Sequence, residues 1–238
     1  MKTKIVTVIA LLIVPKCGFA QNFVNLDFNS ANIPNGTSPA TFVPIGDAIP
    51  GWTGYLGNTQ VTDVLYDSLA IGSVNISILD ANSPAHIPGN NYTVVLEAGN
   101  GGGNGGLANT TASIAQTGLI PATVESIEFT ASFPNGGAGW QITINGQLIP
   151  VSQIGTVGSY YGVYAGNVSA YAGHVDQLEF TSLYGPAGAA DNLYLDNLAF
   201  SASPVPEPNS LGLFALGGMF VAWLHWRKPS PKVLPEEH

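Results

Sequence analysis

The amino-acid sequence predicts an all-β protein: an antiparallel β-sandwich, preceded by a signal peptide and followed by a short C-terminal transmembrane helix. Three observations carry that expectation. The central part of the chain is rich in Gly, Ser, Thr, Asn and aromatics, poor in charge, and broken into short apolar segments at turn-like spacing. No long segment in it has helical periodicity. Two stretches alternate apolar and polar residues with period two, as expected of a sheet with one face on a core and one in water.

At 238 residues the chain suits one sizeable domain, and about 180 residues remain once both ends are set aside, enough to bury a single core. Residues 1–20 read as a secretory signal peptide: Lys2 and Lys4 precede the apolar run Ile5 to Val14, and Gly18-Phe19-Ala20 forms a small-residue exit before Gln21. Cys17, the single cysteine, lies inside that signal and leaves with it. The mature chain then has no thiol, which excludes a disulfide framework, a cysteine-ligated zinc site and a cysteine nucleophile.

Strands are expected at Phe23 to Phe28, Val61 to Tyr66, Val74 to Leu79, Tyr92 to Glu97, Ala112 to Gln116, Val124 to Phe133, Trp140 to Ile144, Gln147 to Val151, Tyr160 to Tyr164, Gln177 to Leu183 and Asn192 to Phe200. Ile142 and Ile144 alternate with Gln141 and Thr143 before Asn145-Gly146, a pair suited to the positive φ angles of a type I′ hairpin turn. Leu178 and Phe180 share one face of the second alternation, opposite Gln177, Glu179 and Thr181. The glycine-rich stretch Ala98 to Thr111 reads as a flexible loop, since glycine in a strand interior loses backbone entropy and packs nothing. It lacks the Gly-Lys-Ser/Thr ending of a phosphate-cradling loop.

The formal net charge is −9, and every Lys and Arg sits in the signal (Lys2, Lys4, Lys16) or in the tail (Arg227, Lys228, Lys232). Residues 21–204 carry no fixed positive charge. Their acids must therefore face water, accept backbone hydrogen bonds or bind metal ions. Nucleic acid is excluded as a partner, because nothing in the domain would neutralise phosphates.

The tail begins with Val205-Pro206-Glu207-Pro208, continues through an apolar run from Leu211 to Trp226, and closes on Arg227-Lys228. Sixteen residues of helix span about 24 Å, short of the roughly 30 Å hydrocarbon core. Snorkelling by Arg227 and Lys228 and interfacial placement of Trp223 and Trp226 would let the segment cross. The basic end would then stay cytoplasmic and the β domain outside. Hydrophobicity alone permits a plain membrane anchor.

The order of these parts resembles a PEP-CTERM sorting signal. That resemblance implies transient recognition by an exosortase, an integral-membrane cysteine-type transpeptidase, cleavage near Pro206-Glu207-Pro208, and delivery to the cell envelope, cell surface or extracellular matrix. The basic stop is Arg227-Lys228, and the ten residues from Pro229 make a longer trailing segment than is usual in the family. The expected plan is thus a signal peptide at 1–20, a sandwich at 21–203, a sorting segment at 204–228 with its helix at 211–226, and a cytoplasmic tail at 229–238.

The start "NLDFNSANIPNG", with "IPGWTGYLG" later, and the end "DNLYLDNLAF" resemble the first and last strands of galactose-binding-like jelly-roll domains, common among bacterial carbohydrate-binding modules. The resemblance implies a structural calcium between first and last strands, with Asp196 as one ligand and Asn29 where an acid is usual. The plain alternative is that Asn29 and Asp196 satisfy backbone donors at strand ends.

Sugar binding needs an exposed aromatic plane beside amides and carboxylates. Trp52 and Tyr55 form one candidate group, and Tyr160, Tyr161 and Tyr164 a second. Trp140 is expected to be more buried. The mature domain has only His86 and His174 and no Gly-x-Ser-x-Gly or His-Glu-x-x-His motif, so no enzyme of the usual nucleophile or zinc classes is expected. Paired carboxylates drawn from Glu97, Glu125, Glu128 and Glu179 would still suit polysaccharide hydrolysis. The expected function is a noncatalytic envelope or matrix component, structural or binding polysaccharide, with a secreted polysaccharide-active enzyme as the alternative.

Overall fold

The computed structural model describes residues 21–69, 73–101, 107–134, 138–185, 191–205 and Met219, without the side chains of 100–109. In chain order the elements are β1 (Thr41–Pro44), a single helical turn α1 (Ile45–Ala48), β2 (Thr53–Leu56), β3 (Thr59–Val61), β4 (Asp63–Tyr66), β5 (Asn75–Asp80), β6 (Tyr92–Gly101), β7 (Leu107–Thr110) and β8 (Ala112–Leu119). There follow β9 (Ser126–Ser132), β10 (Trp140–Ile144), β11 (Gln147–Leu148), β12 (Val151–Val157), β13 (Tyr161–Asn167), a 3-10 turn (Ser169–Tyr171), β14 (Val175–Ser182) and β15 (Asp191–Ser201).

Two sheets form an all-β sandwich. The larger runs β1-β4-β5-β6-β15-β9-β13-β12, with β7 added on β6, and the smaller runs β11-β10-β14-β8-β2-β3. Strand pairs are antiparallel except β4 with β5. The chain passes repeatedly from one sheet to the other, so sequence neighbours such as β8 and β9, or β14 and β15, lie in opposite layers, as in a jelly roll.

Alternation places the core. Ile76 and Ile78 of β5, Val94 and Leu96 of β6, Ile127 and Phe129 of β9, and Leu193 and Leu195 of β15 meet Ile114 of β8, Ile142 and Ile144 of β10, and Leu178 and Phe180 of β14. Phe180 stands edge-on to Phe129 at 5.3 Å and to Trp52 at 6.4 Å, tying both sheets to the loop before β2. A smaller cluster of Leu79, Ile87, Val95 and Tyr194 covers the other face of the larger sheet. Burial on both faces explains why apolar residues stand side by side in Val94-Val95-Leu96 of β6 and Leu193-Tyr194-Leu195 of β15 instead of alternating with exposed polar ones.

The expected hairpin is present: Asn145 and Gly146 take φ values of 47° and 74° between β10 and β11. The Asn145 side chain also donates to Asp176 and accepts from the Gln177 N–H at 3.0 Å, fastening the turn to β14.

Two expectations need correction. Phe23 to Phe28 is not a strand, because Asn25 and Phe28 adopt left-handed φ values of 51° and 54° that break the extended path. The segment is held instead by separate contacts: Val24 N–H donates to Gln116 Oε1 at 2.6 Å while Gln116 Nε2 donates back to the Val24 carbonyl at 3.0 Å, and Leu198 N–H donates to the Leu26 carbonyl at 3.0 Å. Ala98 to Thr111 is not simply a loop: β6 continues to Gly101, and β7 returns along it with Gly99 opposite Thr110 and Gly101 opposite Leu107. Ladder hydrogen bonds need only backbone, so glycines can take part where a paired neighbour is present.

Phe180→Ala should lower stability by about 3–5 kcal/mol, read as a shifted urea midpoint with an unchanged slope; a loss below about 1 kcal/mol would mean that the inter-sheet contact is not a tight core.

Candidate functional site

The turn between β12 and β13 projects Tyr160, which is 82% exposed. Beside it lies a groove of about 570 Å³ on the larger sheet where β9, β12 and β13 run together, lined among others by Gln153, Thr156, Ser159, Phe133 and Tyr164. Pairing sets this arrangement: Gln153 is opposite Tyr164 and Thr156 opposite Gly162, so they share the inward face near the sheet's edge. A Cβ on Gly162 would lie 2.6 Å from the Tyr164 ring, so glycine there is what allows the ring its position. Tyr164 stacks on Phe129 at 5.7 Å and meets Trp140 edge-on at 5.1 Å, which fixes it as the groove's rigid wall. Gln153 Nε2 donates to the Gly155 carbonyl at 3.1 Å, presenting its amide at the rim.

The remaining aromatic candidates separate. Tyr161 borders the same groove, yet its ring packs with the smaller cluster and its hydroxyl donates to the His86 carbonyl at 3.3 Å. Trp52 is 4% exposed, packs on Phe28 at 5.7 Å and donates to the Asn25 carbonyl at 3.1 Å, so it is a core residue and not a sugar platform. Tyr55 is half-buried on β2 in the smaller sheet, away from the groove. Trp140 is half-buried, against the expectation that it lies deeper.

The four candidate acids do not converge. Glu97 is opposite Asn192 and Glu128 opposite Ala199, seven residues apart on β15. Glu179 lies in the other sheet, and Glu125 is exposed ahead of β9.

Asn29 and Asp196 are brought to the middle of β15. That strand pairs with β6 through Leu195, and its pairing with β9 breaks between Asp196 and Ala199, where Asn197 has φ 55°. Asp196 is fully buried in this break; its Oδ1 accepts from Asn90 Nδ2 at 2.8 Å and from the Asn197 N–H at 2.6 Å, while Oδ2 has no hydrogen-bond partner. Asn29 donates through its N–H and Nδ2 to Asp27, and its Oδ1 accepts from the Asn91 N–H at 2.8 Å. Asn90 Nδ2 also reaches Asn197 Oδ1 at 2.7 Å. Burial pushes the Asp196 carboxyl up to about 7; the hydrogen bonds from Asn90, the Asn197 backbone and the Thr93 side chain oppose the rise and the Asp27 carboxylate adds to it. Asp27, Asn90 and Asn197 thus complete a group of which sequence reasoning named only Asn29 and Asp196. The Asn90-Asn91 and Asp196-Asn197 pairs were the available signal.

Among the described residues no group of three or more His, Cys, Asp or Glu converges as a metal site. A cation at Asp196 would therefore draw on amide and backbone oxygens as well as acids, which is ordinary for calcium. A buried carboxylate oxygen without a partner, beside a second acid and with no Lys or Arg in the domain, fits such an ion.

At the far end of β15 the chain is still fastened to the sheet: Glu125 N–H donates to the Ser201 carbonyl at 2.8 Å and Ser126 Oγ to the Ser203 carbonyl at 2.7 Å. The next residues begin the tail. Residues 204–228 match the PEP-CTERM protein-sorting motif. The PEP-CTERM segment marks an exported protein that passes the membrane and is sorted to the cell surface. Pro206, Glu207, Pro208, Arg227 and Lys228, the signal peptide and, apart from Met219, the expected helix at 211–226 lie outside the described residues. Among the described residues no helix is long and apolar enough to cross a membrane.

No curated protein matches the chain. Among solved structures it is similar to a CBM27-1 module of Caldicellulosiruptor saccharolyticus in complex with mannohexaose, at 15% identity and TM-score 0.40 over 71% of this chain and 100% of that one. It is also similar to the family 11 carbohydrate-binding module of a cellulosomal cellulase of Clostridium thermocellum, at 11% identity and TM-score 0.32 over 73% and 100%. A third is the K1 cleaved adhesin domain of Lys-gingipain from Porphyromonas gingivalis, at 14% identity and TM-score 0.29 over 54% and 90%.

The raised Asp196 carboxyl means that the folded chain holds this proton more tightly than the unfolded chain. Its contribution to stability is complete below about pH 4 and is lost as the pH rises through about 7. In chelator, wild type and Asp196→Asn should be similarly stable near pH 4, and the variant should be more stable near pH 8 by on the order of 4 kcal/mol. Urea unfolding across this range measures the difference; a gap that does not widen with pH would refute the burial argument.

Proposed function

We propose that this is an exported, noncatalytic glycan-binding protein whose β-sandwich docks saccharides in the groove beside Tyr160. The observation that carries the reading is Tyr160 itself, a large aromatic 82% exposed at the mouth of a groove with a rigid aromatic wall. Leaving such a ring in water gains nothing for the fold, while the apolar face of a pyranose can stack on it. Gln153, Thr156 and Ser159 supply amide and hydroxyl partners for sugar hydroxyls, and Tyr164 closes the opposite side. The groove's volume is in the range typical of small-ligand sites.

In this reading the PEP-CTERM segment delivers the domain. Exosortase recognises Pro206-Glu207-Pro208, the helix at 211–226 spans the inner membrane with Arg227 and Lys228 cytoplasmic, and cleavage releases the sandwich to the envelope or matrix. With Ser203 held to β9, only Pro204 and Val205 separate the folded domain from the recognition element. The Asp196 group would hold a structural calcium through Asp27, Asn29 and Asp196; that ion would neutralise the acids and lock the N-terminal segment onto β15.

Tyr160→Ala should weaken binding to the cognate polysaccharide at least tenfold, about 1.4 kcal/mol, with an unchanged unfolding midpoint, and Tyr160→Phe should retain most of it. Affinity electrophoresis against envelope polysaccharides reads this out, and equal retardation of wild type and Tyr160→Ala would remove the groove as the site. For the tail, Glu207→Ala should leave the protein unprocessed in the membrane fraction of cells that contain exosortase. Identical mass and location of variant and wild type would reduce the segment to an anchor.

A further inference from the structure

The chain is fastened to the smaller sheet from its first described residue. The Gln21 carbonyl accepts from the Leu119 N–H at 2.8 Å, and Asn22 forms a parallel bridge to Leu119 at the end of β8. Gly118 lies against the segment, where a Cβ would come 2.8 Å from both the Phe23 nitrogen and its ring. Ahead of that carbonyl the situation differs: Gln21 is exposed, and no hydrogen bond to another described residue holds its side chain.

Cleavage after Ala20, the small-residue exit of the signal, makes Gln21 the N-terminal residue. An N-terminal glutamine carries an amine and a side-chain amide that close into a five-membered ring, and having both on one residue replaces an encounter with a rotation. The amine nitrogen attacks Cδ, the bond from Cδ to the amide nitrogen breaks, and ammonia leaves with the proton given up by the amine. No oxidant, metal or second substrate is consumed. An α-amino group titrates at about pH 7.7–8.0, so part of it is the unprotonated nucleophile at neutral pH. The ring requires the side chain to turn back on its own amine, which a buried or hydrogen-bonded glutamine could not do. It uses neither the Gln21 carbonyl nor the Asn22 N–H, so the bond to Leu119 is the same before and after.

We propose that Gln21 is a modification site, at which the exported chain closes to an N-terminal pyroglutamyl residue. The α-amine would be the one fixed cation of a sandwich that has no Lys or Arg between residues 21 and 204, and cyclisation removes it. The end is then shut twice: by the lactam, against aminopeptidases that bind a free amine, and by the Leu119 bond, which keeps the following backbone on the sheet. The inference rests on removal of residues 1–20 and is independent of the Tyr160 groove.

Mass spectrometry of the protein recovered from cells that export it tests this. Residues 21–204 contain no tryptic site, so digestion ahead of Asp27 is used, which releases Gln21–Leu26 as the N-terminal peptide. More than half of that peptide should be lighter than the linear form by one ammonia, and pyroglutamyl aminopeptidase should remove its first residue. Gln21→Asn, whose side chain is one methylene too short for the five-membered ring, should keep its amine, and the intact variant should focus at a higher pH than wild type. A Gln21–Leu26 peptide that retains its ammonia overturns the proposal and leaves the cleavage site standing, whereas a chain that starts elsewhere overturns both. Equal isoelectric points of wild type and Gln21→Asn would likewise contradict it, a readout that needs no digestion and so excludes ring closure during peptide handling.

Discussion

The structure depends on β15, the last strand in sequence and the central one in the larger sheet. Its first half pairs with β6 and its second with β9, so closing the sheet requires the end of the domain to insert between strands made much earlier. Pairing with β6 ends at Leu195, pairing with β9 begins at Tyr194, and the β9 pairing is interrupted between Asp196 and Ala199. The N-terminal segment fills the gap through the Leu198–Leu26 backbone bond, and the same break buries Asp196 among Asn90, Asn197 and Asp27. Chain ends, core and the acid group are thereby coupled at one strand.

A second constraint acts on that strand: the domain has no fixed cation. A protein with lysines or arginines can answer a buried acid with a salt bridge, although the gain is often small. Here the choices are a proton, a set of amide donors or a metal ion. Asp196 shows the strain between them, since two donors satisfy one oxygen while burial raises its proton affinity. The same shortage of positive charge leaves the Tyr160 groove with neutral amide and hydroxyl partners, chemistry suited to sugar hydroxyls and unsuited to phosphate.

What could be read from the sequence was local. Asn145-Gly146 encodes its turn in two residues, the Leu178–Phe180 alternation encodes a half-buried face, and the tyrosines at 160, 161 and 164 mark a stretch that the fold places along one groove. What could not be read depended on long-range closure. The strand β2 is absent from the sequence expectations, and its place depends on a long-range fit: a Cβ on Gly54 would come within 2.7–2.9 Å of Ile76, Ile45 and Val61, so glycine is what lets β2 approach the core. The N-terminal segment was misread because Asn25 and Phe28 take left-handed conformations that its apolar pattern does not announce. Asp27, Asn90 and Asn197 escaped notice because only the break in β15 brings residues so distant in sequence together. Trp52 looked like a sugar platform for the same reason: its burial is set by Phe28 and Phe180, far away along the chain.

These features describe one design, a cation-free sandwich that closes on its last strand, holds acids inside that closure, and continues directly after Ser203 into the segment that matches the PEP-CTERM sorting motif. Its central claim is that a divalent ion completes the closure around β15. Scanning calorimetry at pH 7.5 in calcium and in chelator tests that claim most directly. With calcium at a hundred times its dissociation constant, a site formed only in the folded chain adds about 2.7 kcal/mol, which should raise the midpoint by roughly 5–10 °C in a domain of this size. A midpoint identical in calcium and in chelator would contradict the account.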